Sequence, residues 1–245
     1  MSKKFKDIRW KWLAERGINV QGDDYQLDYM KSLWAPVDDI QAVFCEAKAG
    51  TGKTSLAVLA GAYEVEKETY DKLIYVRNAI PIREVGHLPG DLDDKEKPYM
   101  QPIVDTLDLI KPGTYEVWSQ PNPLTKQAPR LIAVTTSFTR GVTWKRAFVI
   151  IDEAQSFDLE ELQTIYTRCA DDCKIVTVGS LRQNDNKKQK KFTGLTPFEI
   201  YMAHFKGTKV AYHTLVNNYR GWFADYADDV MNTVNRLKGS GSHAC

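Results

Sequence analysis

The residues best suited to chemistry lie in Ala47-Lys48-Ala49-Gly50-Thr51-Gly52-Lys53-Thr54, between an apolar run and an amphipathic one. Strand, glycine-rich turn, Gly-Lys-Thr and helix in that order form the context that a phosphate-binding P-loop requires. Gly50 and Gly52 let the backbone curl so that its N–H groups face phosphate oxygens, and the following helix adds its positive end. Lys53 would neutralise the β- and γ-phosphates, and the Thr54 hydroxyl would bind magnesium. The expected phosphate-binding set is Ala49, Gly50, Thr51, Gly52, Lys53, Thr54 and Ser55. Ala47 stands where the pattern has its first glycine, which is tolerable only at negative φ or where a methyl fits. The plainer reading is a glycine-rich turn that only opens a helix.

A second signal is Phe148-Val149-Ile150-Ile151-Asp152-Glu153. Carboxylates ending a buried strand are costly unless a cation or donors satisfy them. Asp152 is expected beside bound magnesium, and Glu153 near the terminal phosphate, where it can orient or deprotonate an attacking water. Such a Glu separates hydrolases from P-loop kinases, which transfer phosphate to another acceptor. The alternative is that Asp152 merely caps the next helix. Gln183, after the run Val176–Val178, suits a sensor of the γ-phosphate or the attacking water, although Gly179-Ser180 alone is an ordinary turn. Gln26 offers a donor and an acceptor that match the N6 and N7 edge of adenine, although an exposed helical glutamine by itself carries no such meaning. Arg220 is either a transition-state cation or a surface arginine.

Around these motifs, six short apolar runs read as buried strands: Ala42–Glu46, Leu73–Arg77, Leu131–Thr135, Ala147–Ile151, Lys174–Val178 and Lys209–Leu215. Most alternate with helical patterns at Thr54–Lys67, Leu159–Cys169 and Pro197–Phe205, which predicts an α/β fold with a mostly parallel sheet covered on both faces. Ile8, Trp10, Trp12, Leu13 and Ile18 suit a short helix, and Gly22-Asp23-Asp24 offers the cap of a second one. His87–Met100 reads as a loop or lid. Lys111–Arg130, with Pro112, Pro121, Pro123 and Pro129, reads as irregular. The expected organisation is an N-terminal helical segment over 1–36, a core over 37–238 and a flexible tail over 239–245.

The chain of 245 residues carries 33 Lys and Arg against 32 Asp and Glu, so any charged binding surface must be local. None of Cys45, Cys169, Cys173 and Cys245 makes a Cys-x-x-Cys pair, which argues against a zinc ribbon; Cys169 and Cys173 are spaced for one helix face. No apolar run is long enough to span a membrane. A reducing, cytoplasmic setting is expected.

Taken in order, these segments resemble the PhoH family of ATPases, whose core is RecA-like and related to superfamily-one helicases. The most specific stretches are Ala49–Thr54, Gly86-His87-Leu88-Pro89-Gly90-Asp91-Leu92 with Pro98-Tyr99, Arg140-Gly141, and Asp152-Glu153-Ala154-Gln155. The resemblance implies a P-loop NTPase fold, with ATP and Mg2+ as ligands. It makes Gln26 the adenine reader, Gln183 the γ-phosphate sensor and Arg220 the arginine that reaches the γ-phosphate. Ser180 stands where the family has Asp, and the chain has no room for the PIN nuclease domain of some members. The expected function is ATP hydrolysis coupled to single-stranded RNA or DNA. A nucleotide-gated binding or assembly module with little turnover is the alternative. For nucleic acid, Phe138, Arg140 and Trp144 could stack on bases or meet phosphates, and Lys187, Lys188, Lys190 and Lys191 form a basic run that is otherwise a solvated loop. A single RecA-like domain leaves its nucleotide open, so a homo-oligomer, a hexameric ring, is expected, with an arginine reaching across the interface: Arg220 first, although its place after the last strand also allows it to act within its own subunit, or else Arg140 or Arg83.

Overall fold

The six apolar runs form one sheet from β1 (Ala42–Ala47), β2 (Lys72–Arg77), β3 (Leu131–Val134), β4 (Ala147–Asp152), β5 (Lys174–Gly179) and β6 (Val210–Leu215), in the order β3-β2-β4-β5-β1-β6. Every ladder is parallel. The computed structural model describes residues 8–78, 92–135, 142–181 and 194–240. Because all six strands run the same way, their carboxyl ends share one edge, where open α/β sheets place ligands.

Side chains alternate along each strand, so the sheet feeds two cores. Val43, Cys45, Ala47, Leu73, Tyr75, Phe148, Ile150, Val176 and Val178 face one of them. That face is covered by α1 (Ile8–Ala14), α2 (Asp24–Trp34), α3 (Lys53–Glu66), α4 (Leu92–Asp108) and α5 (Thr114–Ser119). Phe44, Ile74, Val76, Val149 and Ile151 face the other core, under α6 (Leu159–Tyr166) and α7 (Pro197–His204). After β6 come α8 (Trp222–Asp228) and α9 (Val230–Ser240). The N-terminal helices share the first core: Leu13, Tyr29, Met30 and Leu33 are buried in it, and Trp10 meets Trp34 edge-on at 5.0 Å.

Three expectations about local structure need correction. The stretch predicted as loop through Met100 is helical from Leu92, with Pro98 and Pro102 inside α4. Each proline removes one helical N–H, but Met100, Ile103 and Leu107 bury at helical spacing in the first core, and packing outweighs the local penalty. The proline-rich stretch contains α5, opened by Gly113 at φ 81° and held by the buried Trp118. Finally, α6 stops at Tyr166, short of Cys169. There the chain turns to pair with Trp144, whose N–H donates to Arg168 O at 2.7 Å and whose carbonyl accepts from Ala170 N at 3.0 Å. Cys169 and Cys173 therefore do not share a helix face; with Cys45 they are free thiols, and burial raises the pKa of all three.

Lys174, at the start of β5, is completely buried and donates to three carbonyls: Ser32 at 2.7 Å, Ala35 at 3.1 Å and Ile40 at 2.5 Å. It ties the end of α2 to the entry of β1, and so fixes how α2 meets the sheet. Burial pushes its pKa down to about 7, opposed by the charges of Glu64 and Asp39. Among the described residues, no helix is long and apolar enough to cross a membrane.

Candidate functional site

Ala47 is the last residue of β1, in register with Leu215 and only 1% exposed. Its φ is not positive, so the methyl costs nothing at the place where the motif has glycine. Gly50 and Gly52 do need their freedom, with φ of 80° and 86°. Gly52 is the N-cap of α3, which begins at Lys53. A side chain at Gly50 would also collide with Asn218 Oδ1 and the Arg220 side chain. Ala49 and Ser55 are half-buried in the same turn, and Thr106 Oγ1 reaches Ser55 Oγ at 3.4 Å.

Lys53 is 6% exposed and its ammonium has no hydrogen-bond acceptor or carboxylate among the described residues. The contrast with Lys174 and its three carbonyls is informative. The Lys53 side chain is sheltered along its stem, and a cation at a glycine loop beside a helix N-terminus suits the binding of an anion.

Asp152 ends β4 at 1% exposure and is fully engaged. It accepts from Thr54 Oγ1 at 2.9 Å, from Tyr75 OH at 2.6 Å and from Arg77 Nη1 at 3.4 Å. The Thr54 bond spans β5, which lies between β4 and β1, and brings the two oxygen donors predicted for magnesium together. Burial, and then the charge of Asp152, pushes the Tyr75 phenol well above its ordinary pKa, so it stays a donor. For Arg77, desolvation is outweighed chiefly by Asp152, and its pKa rises.

Glu153 follows in the left-handed region at φ 54°, its carbonyl accepting from Ser156 N at 2.8 Å and Ser156 Oγ at 2.7 Å. Strain of this kind persists where the surroundings over-determine it. The carboxylate is partly exposed and oriented by Gln155 Nε2 at 2.5 Å, with Arg77 Nη2 at 3.9 Å. Gln155 Oε1 in turn accepts from Ser180 N at 2.9 Å, tying the end of β4 to the end of β5. Ser180, where the resemblance has Asp, is buried, and its Oγ has no hydrogen-bond partner among the described residues.

The donor set suits magnesium. Among the described residues no group of three or more His, Cys, Asp and Glu gathers as a metal cage. Thr54 and Asp152 supply hard oxygens, and magnesium characteristically completes its shell with phosphate oxygens and water.

Gln26 lies against the loop, 7% exposed, with Nε2 donating to Thr51 O at 2.9 Å. Arg220 is exposed and packs over its own chain's Gly50; its N–H donates to Asn218 Oδ1 at 2.8 Å. Trp144 requires a correction as a base-stacking candidate: it is 6% exposed and packed in the second core, because its pairing with residues 168–170 turns the ring inward. Gln183, Arg83, Phe138, Arg140 and Lys187–Lys191 lie outside the described residues, as do Gly86–Asp91.

Sequence reasoning gave no site role to Tyr75, Arg77 or Gln155, and read Asp23 only as part of a helix cap, which it is. An arginine ending an apolar strand was the available signal for Arg77. Nothing local distinguishes Tyr75 from a core tyrosine.

A parallel sheet, a glycine loop after β1 and paired carboxylates after β4 define an α/β P-loop NTPase. The family model described as PhoH-like protein matches residues 21–225, and the chain belongs to the PhoH family. It is 31% identical over 201 residues to Protein PhoH2 of Bacillus subtilis, covering 79% of this chain and 44% of that protein. It is 30% identical over 202 residues to a PhoH-like protein of Synechocystis, covering 81% and 58%. Protein PhoH2 of Thermobispora bispora is 32% identical over 202 residues, covering 80% and 44%. The chain thus spans about half the length of these relatives.

Proposed function

We propose that this chain binds ATP with magnesium and hydrolyses it, and that hydrolysis is coupled to single-stranded nucleic acid. The observation that carries the reading is Lys53 on a glycine loop whose helix is joined through Thr54 Oγ1 to Asp152 at the end of β4. In this reading Lys53 and the loop N–H groups hold the phosphates. Glu153, steered by Gln155, takes a proton from a water that attacks the γ-phosphorus. The bond from the γ-phosphorus to the bridging oxygen breaks, leaving ADP and inorganic phosphate. Thr54 and Asp152 would hold a magnesium ion, which would supply neutralisation of phosphate charge. Gln183 orients the water, and Arg220 supplies charge from beside Gly50 in its own chain.

The coupling to nucleic acid rests on the basic run 187–191 and on Phe138 and Arg140. Steady-state hydrolysis with and without single-stranded RNA and DNA tests it. The expected result is magnesium-dependent turnover raised by a single strand, with a salt-sensitive response from counterion release. Turnover that ignores every strand at low salt would remove the coupling.

A nucleotide-gated assembly module is the second reading, and one surface favours it. Trp222, Phe223 and Tyr226 of α8 are 74%, 74% and 77% exposed. The same helix is tied to the P-loop, where Lys48 Nζ meets Asp229 Oδ1 at 2.7 Å and Asp225 Oδ1 at 3.9 Å. In this reading a homo-oligomer, a ring of six, covers these aromatics. Sedimentation is expected to show a species heavier than the 27.9 kDa chain. A monomer at all concentrations, with or without nucleotide, removes the oligomer.

A further inference from the structure

We propose that Asp23 is a positioning residue for the P-loop: through Gln26 and Tyr219 it pins two consecutive loop carbonyls, and so aims the Thr51 and Gly52 N–H groups at the phosphates. The phosphate part of this inference rests on the nucleotide-binding reading above.

Asp23 is 4% exposed, yet its carboxylate accepts four hydrogen bonds. Oδ1 takes Tyr25 N at 2.9 Å and Gln26 N at 3.2 Å, capping α2. Oδ2 takes Asn217 Nδ2 at 3.0 Å and Tyr219 OH at 2.7 Å, gripping the segment that follows β6. Burial alone would raise the carboxyl pKa, but these donors, Asn217 foremost, outweigh it and hold the group below its ordinary value. One carboxylate thus joins two segments that are 194 residues apart in sequence.

Each joined segment holds one carbonyl of the loop. Gln26 Nε2 donates to Thr51 O at 2.9 Å, and Tyr219 N donates to Gly50 O at 2.9 Å. A trans peptide is planar, with its N–H pointing opposite to its C=O. Pinning Gly50 O therefore sets the direction of the Thr51 N–H, and pinning Thr51 O sets that of the Gly52 N–H. Neither N–H donates to an acceptor among the described residues. Two donors turned away from protein partners, one residue from the unpartnered Lys53, form an anion nest. Glycines at Gly50 and Gly52 leave this stretch conformationally loose by itself. The clamp from outside the loop supplies the order that the loop sequence lacks. It also assigns Gln26 a role that concerns phosphates rather than the base.

The test is Asp23→Asn in the full chain. Asparagine keeps the oxygen that caps α2. Its amide nitrogen, however, turns toward the donors Asn217 Nδ2 and Tyr219 OH. Calorimetric titration with ATP, GTP, CTP and UTP is expected to show about a tenfold or greater rise in Kd, alike for all four. Adding Asn217→Asp reverses the polarity of the bridge, so the double variant should recover most of the affinity. A merely destabilised fold would not recover through this exchange. Amide hydrogen exchange over residues 49–54 without nucleotide should accelerate in the single variant and return in the double one. That second readout separates the two readings: a parent chain that binds no nucleotide sinks the proposed function, while exchange still judges the clamp. Should Asp23→Asn not fold, Tyr219→Phe is expected to move both readouts in the same direction, less far. Parent-like affinity and exchange in Asp23→Asn would overturn the inference. A Gln26→Ala loss confined to purine nucleotides would remove that arm and return Gln26 to the base.

Discussion

Glu153→Gln is expected to bind ATP as the parent does and to hydrolyse it about 10²–10⁴-fold more slowly, the usual size of a general-base contribution. That corresponds to roughly 3–5 kcal/mol of transition-state stabilisation. The separation of binding from turnover follows from the surroundings of the side chain. Gln155 Nε2 donates to Glu153 Oε2, and a glutamine can present an amide oxygen to the same donor. Arg77 is 3.9 Å from the other oxygen, so the cost to the ground state is small. What the amide cannot do is accept a proton. Equilibrium binding alongside single-turnover hydrolysis checks both halves. Turnover near the parent rate would show that this carboxylate does not activate water.

Lys53→Ala is expected to weaken ATP binding by about 100–1,000-fold, or about 3–4 kcal/mol, in the range found when one partner of a buried charge pair is truncated. Stability without nucleotide should not fall, because the removed ammonium has no partner among the described residues. Thermal unfolding should therefore show a parent-like midpoint in the apo form and no upward shift on adding ATP, whereas the parent shifts by mass action. An ATP-induced shift equal to the parent's would sink the assignment. Mixing Lys53→Ala chains with Arg220→Ala chains adds a second result. Arg220 packs over its own chain's Gly50, so no recovery of hydrolysis is expected; recovery would place the arginine across an interface.

The alternation of apolar runs with helical patterns was enough for the sheet, because strands buried on both faces must be apolar throughout and need helices between them. The loop was legible for a similar reason. Two glycines, a lysine and a threonine at fixed spacing do their work within a few residues of one another. Asp152 and Glu153 were visible because carboxylates at the end of an apolar strand require a compensating partner.

Other features were decided only by tertiary structure. Trp144 reads as an exposed aromatic in sequence, but a bridge to residues 168–170 turns it into the core. Pro98 and Pro102 read as breakers, but burial of Met100, Ile103 and Leu107 outweighs two lost hydrogen bonds. Arg77 and Tyr75 acquire their partner only because β2 lies beside β4, placing Arg77 in register with Asp152.

The sequence by itself determined the class of site, since the phosphate loop and the strand-end carboxylates are each short and local. Tertiary structure decided what holds that site in shape. Asp23 meets Asn217 and Tyr219 only after the chain has returned through β6, and no local pattern at either end records that bond. Side chains that act within one turn leave a spacing in the sequence. Those that act across the fold leave only a residue type, and the backbone path supplies the rest.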